Sequence, residues 1–556
     1  MFSQLSKTFR NFIRRDNMDK KNILKQLTID EKIKWTSGNN MWYLIGSERL
    51  GVKEILVADG PHGVRVYNKR PGHAALELTD LAPSTLFPGA RAMASTFNED
   101  LIFQVGKTIG DECNMHDVDI LLAPGVNLKR SPLGGRNFEY YSEDPLLTGR
   151  IAINFINGVQ STGVGTCIKH FALNEQENQR RFLNTIADER TLHELYLKPF
   201  KMAIDEAKPW SVMTSYNRVN GHYAAESKEL IIDTLRNKWN FDGAIMSDWG
   251  GVQDKVKSIK NGLNIEMPGP SEFIDDVYQA LDNGTLTENE IDQSLIPLLN
   301  LSDKIAQNKN KFKISDLNKN HLVAANVAEE GIVLLKNDGI LPLSKMNISV
   351  IGSFAENPRI NGGGSATLKP FILENPLEEL QKEFNVSYAR GYIEDETSKE
   401  LLKDVQETIK ETEAIIYFTG TTEKLEVEGK DREHMNIPLG HIQVFEVIKE
   451  SKKPVIVVLN NGSALNVTPF IGQCNALVEA WLLGGANSKA FVDVLSGVVN
   501  PSGRLAETFP LKIEHTPQYG EFPSKLDSVN YSGDIIRNGY RYYDTHDYPV
   551  RYPFGY

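Results

Sequence analysis

Long apolar runs are missing from this sequence: in its 556 residues no stretch approaches the ~20 apolar residues a membrane-spanning helix needs. Positive charge is in deficit. With 61 Lys and Arg against 73 Asp and Glu the formal net charge is −12, so nucleic acid or an anionic membrane would be repelled over most of the surface and neither is expected as a partner. Cysteine is scarce. Cys113, Cys167 and Cys474 lie far apart, form no metal pattern and read as buried thiols in a reducing, cytoplasmic compartment. There is no HExxH and no Cys/His cluster, so neither a metal nor another cofactor is expected.

What remains is the composition of a globular enzyme, 40% hydrophobic and 24% charged, in a chain too long for one hydrophobic core. The first residues, MFSQLSKTFRNFIRRDNMDKK, set Phe2, Leu5, Phe9, Phe12 and Ile13 at roughly helical spacing among basic residues. They lack a signal-peptide core, and 1–20 reads as an N-terminal extension.

Six apolar runs then end in polar residues: EILVADGPHGVR (54–65), DILLAPGVNLKR (119–130), TCIKHFALNEQ (166–176), SVMTSYNRVN (211–220), AIMSDWGG (244–251) and LNIEMPGP (263–270). Helix-like segments separate them; in SKELIIDTLRNKWN, Ile231, Leu235 and Trp239 share one face at i, i+4 and i+8. Strands alternating with helices make a parallel sheet, and the repetition predicts an α/β fold, a TIM-type (β/α) barrel over residues 21–300. Its active site would lie at the carboxyl ends of the strands. Asp248 occupies such an end, although an aspartate there also commonly caps a turn. Residues 301–318, lysine-rich and polar, read as a linker or an exposed helix leading into one. From 319 to 510, NISVIGSFAEN, EAIIYFTGTT, PVIVVLNNGS and ALVEAWLLGG read as buried strands with LGHIQVFEVIKESKK as a helix, which predicts an α/β sandwich domain with a mostly parallel sheet. NGGGSATL (361–368) lacks the GK[ST] ending and the GxGxxG spacing of a phosphate loop, and reads as a tight loop. Residues 511–556 read as a C-terminal tail.

Carboxylates, a lysine, a histidine and arginines at strand ends suit a hydroxyl-rich ligand, and Trp249 offers a flat apolar face. In order along the chain stand LTIDEKI, VADGPHGVR, LAPGVNLKRSPLGGRNFEYYSEDP, GTCIKHFALNEQE, SYNRVNG, IMSDWGG, GIVLLKNDGILPL, GGGSATLKP, EVEGKDR, VLNNGSAL, NPSGRLAETFP and NGYRYYD. In these motifs, from about residue 27 to the last, the sequence resembles glycoside hydrolase family 3, in particular its bacterial β-glucosidase branch. The resemblance implies a retaining, exo-acting β-glucosidase that removes terminal non-reducing β-D-glucosyl residues from small oligosaccharides or glucosides by double displacement. It implies Asp248 as nucleophile and Glu428 of EVEGKDR as general acid and base; Glu428 rather than Glu426, because the family places this glutamate directly before the glycine. It further implies a sugar subsite with Asp59 on the 4- and 6-hydroxyls, and with Arg65, Arg136, Lys169, His170, Met213, Tyr216, Trp249 and Ser365. As an acid, Glu428 is expected to have its pKa raised by burial or by a neighbouring carboxylate. A retaining pair needs carboxyl groups ~5–5.5 Å apart, so two residues 180 apart in sequence (428 − 248) must meet in one cleft shared by two domains.

The chain departs from the family's pattern in places. Ala58 stands where a serine is frequent, and Lys53 and Glu54 stand where an Ile-Pro pair is common. No fibronectin-type domain is expected after YPFGY, and there is no room between Pro370 and Glu426 for a lectin-like insertion. KHFALNEQ in place of KHFPGHGD argues against the β-N-acetylglucosaminidase branch. A β-xylosidase or broader β-glycosidase, a Schiff-base aldolase using Lys169, and a non-catalytic sugar-binding relative are the competing readings, and a homo-oligomer is compatible with all of them.

Overall fold

The computed structural model describes residues 20–68, 80–308 and 315–556; of the expected N-terminal extension only Lys20 falls among them. Five short strands form the first sheet: β1 (Val57–Asp59), β2 (Ile120–Leu122), β3 (Gly165–Phe171), β4 (Ser211–Thr214) and β5 (Ala244–Ser247). All are parallel and hydrogen-bonded in chain order, which is the order of a barrel. Each is buried along its whole length, which explains why these runs are continuously apolar rather than alternating. Successive residues still face opposite ways. Val57, Ile120, Leu122, Met213 and Met246 join one apolar cluster, whereas Ala58, Leu121, Val212 and Ile245 join a second with the helices Glu99–Met115 and Pro145–Ser161.

The sixth run, LNIEMPGP, forms no strand. Ile265 and Glu266 make single parallel bridges to Met246 and Ser37, and Tyr43 pairs antiparallel with Leu56 just before β1. Pro268 and Pro270, each lacking an N–H, stop the run from extending a ladder, so the barrel closes through an irregular seam. The helix Glu229–Lys238 carries Ile231 and Leu235 buried on one side, with Trp239 half-buried after it.

The second domain is a six-stranded sheet built from β6 (Val333–Asn337), β7 (Asn347–Ile351), β8 (Asn385–Ala389), β9 (Ala414–Gly420), β10 (Val455–Asn460) and β11 (Ala476–Glu479). Their spatial order is β6-β11-β10-β9-β7-β8, with only β6 antiparallel. From the adjacent strands β7 and β9 the chain leaves in opposite directions, to β8 and to β10. That is the switch point at which an open α/β sheet presents loops for binding, and the loops after β7 and β9 reach the barrel.

Two segments are more ordered than their composition suggests. Residues 301–308 continue the helix Glu288–Asn308 and bury Leu301, Ser302 and Ile305 against the barrel rather than forming a linker; 309–314 lie outside the described residues. The expected tail is a strap. Ser528–Asn530 adds a parallel strand to Asn184–Ile186, Phe509–Pro510 pairs with Val550–Tyr552, and Asp534 is wholly buried, accepting hydrogen bonds at 2.6 Å from both Arg130 Nε and the Tyr196 hydroxyl. The Arg130 guanidinium stacks 4.0 Å over the Tyr531 ring. A polar C-terminal segment is thus held by two short strand pairings and by buried polar contacts such as the Asp534–Arg130 ion pair, something composition does not reveal.

Removing one partner of such a pair strands the other charge in the interior. Asp534→Ala is expected to cost ~3–5 kcal/mol of stability, measured by urea denaturation; a midpoint unchanged from wild type would show that the strap does not depend on this ion pair.

Candidate active site

The barrel strands and the loops after β7 and β9 enclose a cavity of about 310 Å³. Its wall contains three carboxylates, Asp59, Asp248 and Glu428, and three cations, Arg65, Arg136 and Lys169. His170, Met213, Tyr216, Trp249 and Ser365 complete the set expected from the sequence, so the fold brings all eleven residues to one cavity. Met41, Trp42 and Gly364 also line it.

Lys169 and His170 are consecutive, yet both face the cavity. In a regular strand they would point to opposite faces. The pairing of β3 with β4 shifts register between Ile168 and Phe171, so the strict alternation of a regular ladder does not hold at these two residues. The backbone N–H of His170 donates to Asn127 Oδ1 (2.9 Å), and Asn127 Nδ2 donates to the His170 carbonyl (3.1 Å), which fixes the orientation of the amide. Nδ1 of the ring lies 3.2 Å from that same Oδ1, an acceptor only, so Nδ1 carries the proton. Burial, reinforced by Arg136, Lys169 and Arg180, drives the His170 pKa far down and keeps the ring neutral. Its Nε2 lone pair then faces the cavity, 3.7 Å from Asp248 Oδ2.

Lys169 Nζ lies 3.4 Å from Asp59 and 3.7 Å from Glu139, while Arg65 lies 3.7 Å from the other Asp59 oxygen. Burial would lower the lysine pKa, but Asp59 and Glu139 outweigh it and raise the value. A charged amine cannot open a Schiff base, which counts against an aldolase. Asp59 and Asp248 are both pushed up, chiefly by burial, with the surrounding cations opposing.

The Asp248 Oδ1 oxygen accepts the N–H of Trp249 (2.8 Å). Its Oδ2 is buried and has no hydrogen-bond partner among the described residues. Trp249 is anchored by its Nε1–H on the Met41 carbonyl (3.1 Å) and lies 5.6 Å from the Trp42 ring, so two indoles wall one side of the cavity.

Glu428 is held differently. Arg180 donates to Oε1 (2.8 Å), Arg136 stands 3.7 Å away, and the Ser365 N–H donates to Oε2 (2.8 Å). Burial raises its pKa, but Arg136 and Arg180 outweigh burial and hold it far below the usual carboxylate range. This corrects the expectation of a raised value: the neighbours that decide are guanidiniums. Arg180 also donates to Glu177 (2.7 Å) and lies 4.5 Å over the Tyr216 ring. Sequence reasoning missed Arg180, Glu177, Glu139 and the Met41-Trp42 pair. Glu139 and Glu177 stand inside the motifs GGRNFEYYSEDP and KHFALNEQE, which could have drawn attention to them, whereas Arg180 and the Met41-Trp42 pair showed only charge or aromaticity in polar stretches.

The glycine-rich loop is placed by His62. Its Nε2 accepts the Ala90 N–H (3.1 Å), so its Nδ1–H donates to Asn361 Oδ1 (3.0 Å); burial lowers its pKa to about 4, so the ring is neutral. Gly364 follows at φ +107°, and a Cβ there would lie 2.4 Å from Cβ of Glu428. The glycines thus serve close approach of two backbones.

No helix among the described residues is long and apolar enough to cross a membrane, and no group of three or more His, Cys, Asp or Glu among them is arranged to hold a metal ion. A barrel and a mostly parallel α/β sheet close on a cavity of carboxylates, cations and indoles. Residues 77–301 match the family model for the glycosyl hydrolase family 3 N terminal domain and 332–556 that for its C-terminal domain. The thermostable beta-glucosidase B of Acetivibrio thermocellus is 41% identical over 97% of this chain and 72% of its own length. The exo-alpha-(1->6)-L-arabinopyranosidase of Bifidobacterium longum is 39% identical over 96% of this chain and 72% of its own. The solved structure of beta-glucosidase 3B from Thermotoga neapolitana in complex with alpha-D-glucose superposes with a TM-score of 0.86 at 31% identity, covering 97% of this chain and 82% of that one. The chain belongs to glycosyl hydrolase family 3 and is a glycoside hydrolase.

The raised Asp248 pKa makes a stability prediction. Its folded value exceeds its unfolded one, so above both the ionised carboxylate costs stability, and below the unfolded value of about 3.9 that cost vanishes. Asp248→Asn is therefore expected to unfold at a higher temperature than wild type at pH 7, with the gap closing as pH falls toward 4. A variant less stable than wild type at pH 7 would contradict the burial argument.

Proposed function

We propose that the protein is a retaining exo-β-glucosidase acting on glucosides or small oligosaccharides, with Asp248 as nucleophile and Glu428 as acid and base. The observation that carries this reading is the pair of carboxylates from separate domains facing one cavity whose charged lining balances, three acids to three bases. Such a lining suits a neutral, hydroxyl-rich ligand. The free Oδ2 of Asp248 is the oxygen available to attack the anomeric carbon, since both oxygens of Glu428 are engaged. Glu428 would deliver a proton to the departing glycosidic oxygen, then accept one from the water that cleaves the glycosyl ester, so two inversions retain the β configuration. An ionised Glu428 suits the second half of that cycle. For the first, Glu428 has to take up a proton from solvent as its contact with Arg180 loosens, while Arg180 keeps its existing bond to Glu177 (2.7 Å).

In this reading Asp59, between Lys169 and Arg65, takes the 4- and 6-hydroxyls, the His170 Nε2 accepts a further hydroxyl, and Trp249 with Trp42 walls the ring. The names of similar proteins, two of them beta-glucosidases, support a glucoside. The similar arabinopyranosidase favours a pentopyranoside as the second reading, because such a sugar lacks the C6 hydroxymethyl. Three buried cysteine thiols support a reducing compartment.

Rates on aryl β-D-glucoside, β-D-xyloside and α-L-arabinopyranoside decide the sugar: the glucoside is expected to lead, and a tenfold preference for either pentoside overturns the assignment. Asp59→Ala is expected to lose ~2–4 kcal/mol of transition-state stabilisation on the glucoside and less on the xyloside. For the roles, Glu428→Ala should cripple hydrolysis of alkyl glucosides and slow activated dinitrophenyl glucosides far less at the first step. Added azide, needing no base, should then restore turnover and yield a β-glucosyl azide. Azide rescue in Glu426→Ala instead would move the acid/base by two residues.

A further inference from the structure

We propose that Asp431 is a positioning residue for Glu428, clamping the second-domain loop that carries it onto the rim of the barrel; this rests on the reading of Glu428 as acid and base. Asp431 stands three residues beyond Glu428 and is 2% exposed. Among the described residues its carboxylate accepts only barrel backbone amides. Gly135 donates to Oδ1 (3.0 Å), Asn178 to Oδ2 (2.8 Å), and Glu177 to both oxygens (3.1 and 3.0 Å). The reverse direction is also used: the N–H groups of Asp431, Gly429 and Arg432 donate to Asn178 Oδ1 (3.0 Å), Glu177 Oε2 (2.7 Å) and the Leu133 carbonyl (2.8 Å).

These bonds knit the stretch after Glu428 to two barrel loops, 133–135 and 177–178. The fit is tight, since a Cβ on Gly135 would lie 1.9 Å from the Lys430 carbonyl oxygen. A carboxylate is the group this junction needs. Three converging N–H donors require an acceptor with several lone pairs and no hydrogen, and an amide in its place would set an NH₂ against one of them. Glu428 itself is tied to its own domain by its N–H to the Gly363 carbonyl (3.1 Å), so the clamp sets where that piece of the second domain sits over the barrel. Misplacement by about 1 Å costs on the order of 100-fold in rate.

The test compares kcat/KM of wild type, Asp431→Asn, Asn178→Ala and Glu428→Ala on an alkyl β-glucoside and a dinitrophenyl β-glucoside, with thermal unfolding of each. If Asp431 positions the acid, Asp431→Asn loses ~100-fold on the alkyl glucoside and less than about fivefold on the activated one. Asn178→Ala, which removes one clamp bond at a partly exposed side chain, shows the same pattern more weakly. Equal losses on both substrates, or wild-type rates in both variants, overturn the proposal. Should Asp431→Asn fail to fold, Asn178→Ala decides alone. If Glu428→Ala lacks the leaving-group dependence, the acid/base reading has failed instead, and the clamp with it.

Discussion

The cavity draws Asp248 from a barrel strand and Glu428 from a loop of the other domain, so any chemistry in it depends on how rigidly the two domains are registered. That register is fixed by buried polar contacts. Glu507 lies between Lys129 and Arg91, the latter at 3.6 Å; Asp534 binds Arg130; His62 reaches Asn361. Buried ion pairs contribute little net stability once desolvation is counted, but they tolerate few alternative arrangements. An apolar interface could slide by a methyl group at small cost. A charge buried against one partner cannot.

The same economy of position shapes the cavity's electrostatics. Each carboxylate has a cation within reach, and the outcome differs with geometry. Asp248 keeps one oxygen free, and burial wins, raising its pKa. Glu428 sits between Arg180 and Arg136, and the guanidiniums win, lowering it. Lys169 stays charged because Asp59 and Glu139 face it, whereas His170, with cations around it, stays neutral. The charged groups of the wall thus sum to near neutrality while each remains individually strong, a condition suited to ordering hydroxyls without attracting ions.

Much of this was legible in the chain. Five of the six apolar runs became barrel strands, because a strand buried on both faces must be apolar throughout, and Asp248 stood out as the charge ending one of them. The second domain's four strand-like runs and its intervening helix were equally plain. Less legible were segments held by a few charges: the strap after residue 511, the helix continuing through 308, and the Glu177-Arg180 pair inside a loop that reads as solvated surface.

In the sequence by itself, apolar runs marked five barrel strands and four strands of the second sheet, because such runs are local properties of the chain; the eleven residues that line the cavity were named by the family resemblance of their motifs. The tertiary structure alone decided the direction of the Glu428 pKa and the seat of Asp431 on the barrel. Those depend on distances of about 3 Å between residues hundreds of positions apart. Coulombic and hydrogen-bond energies change over such distances by more than any composition can encode.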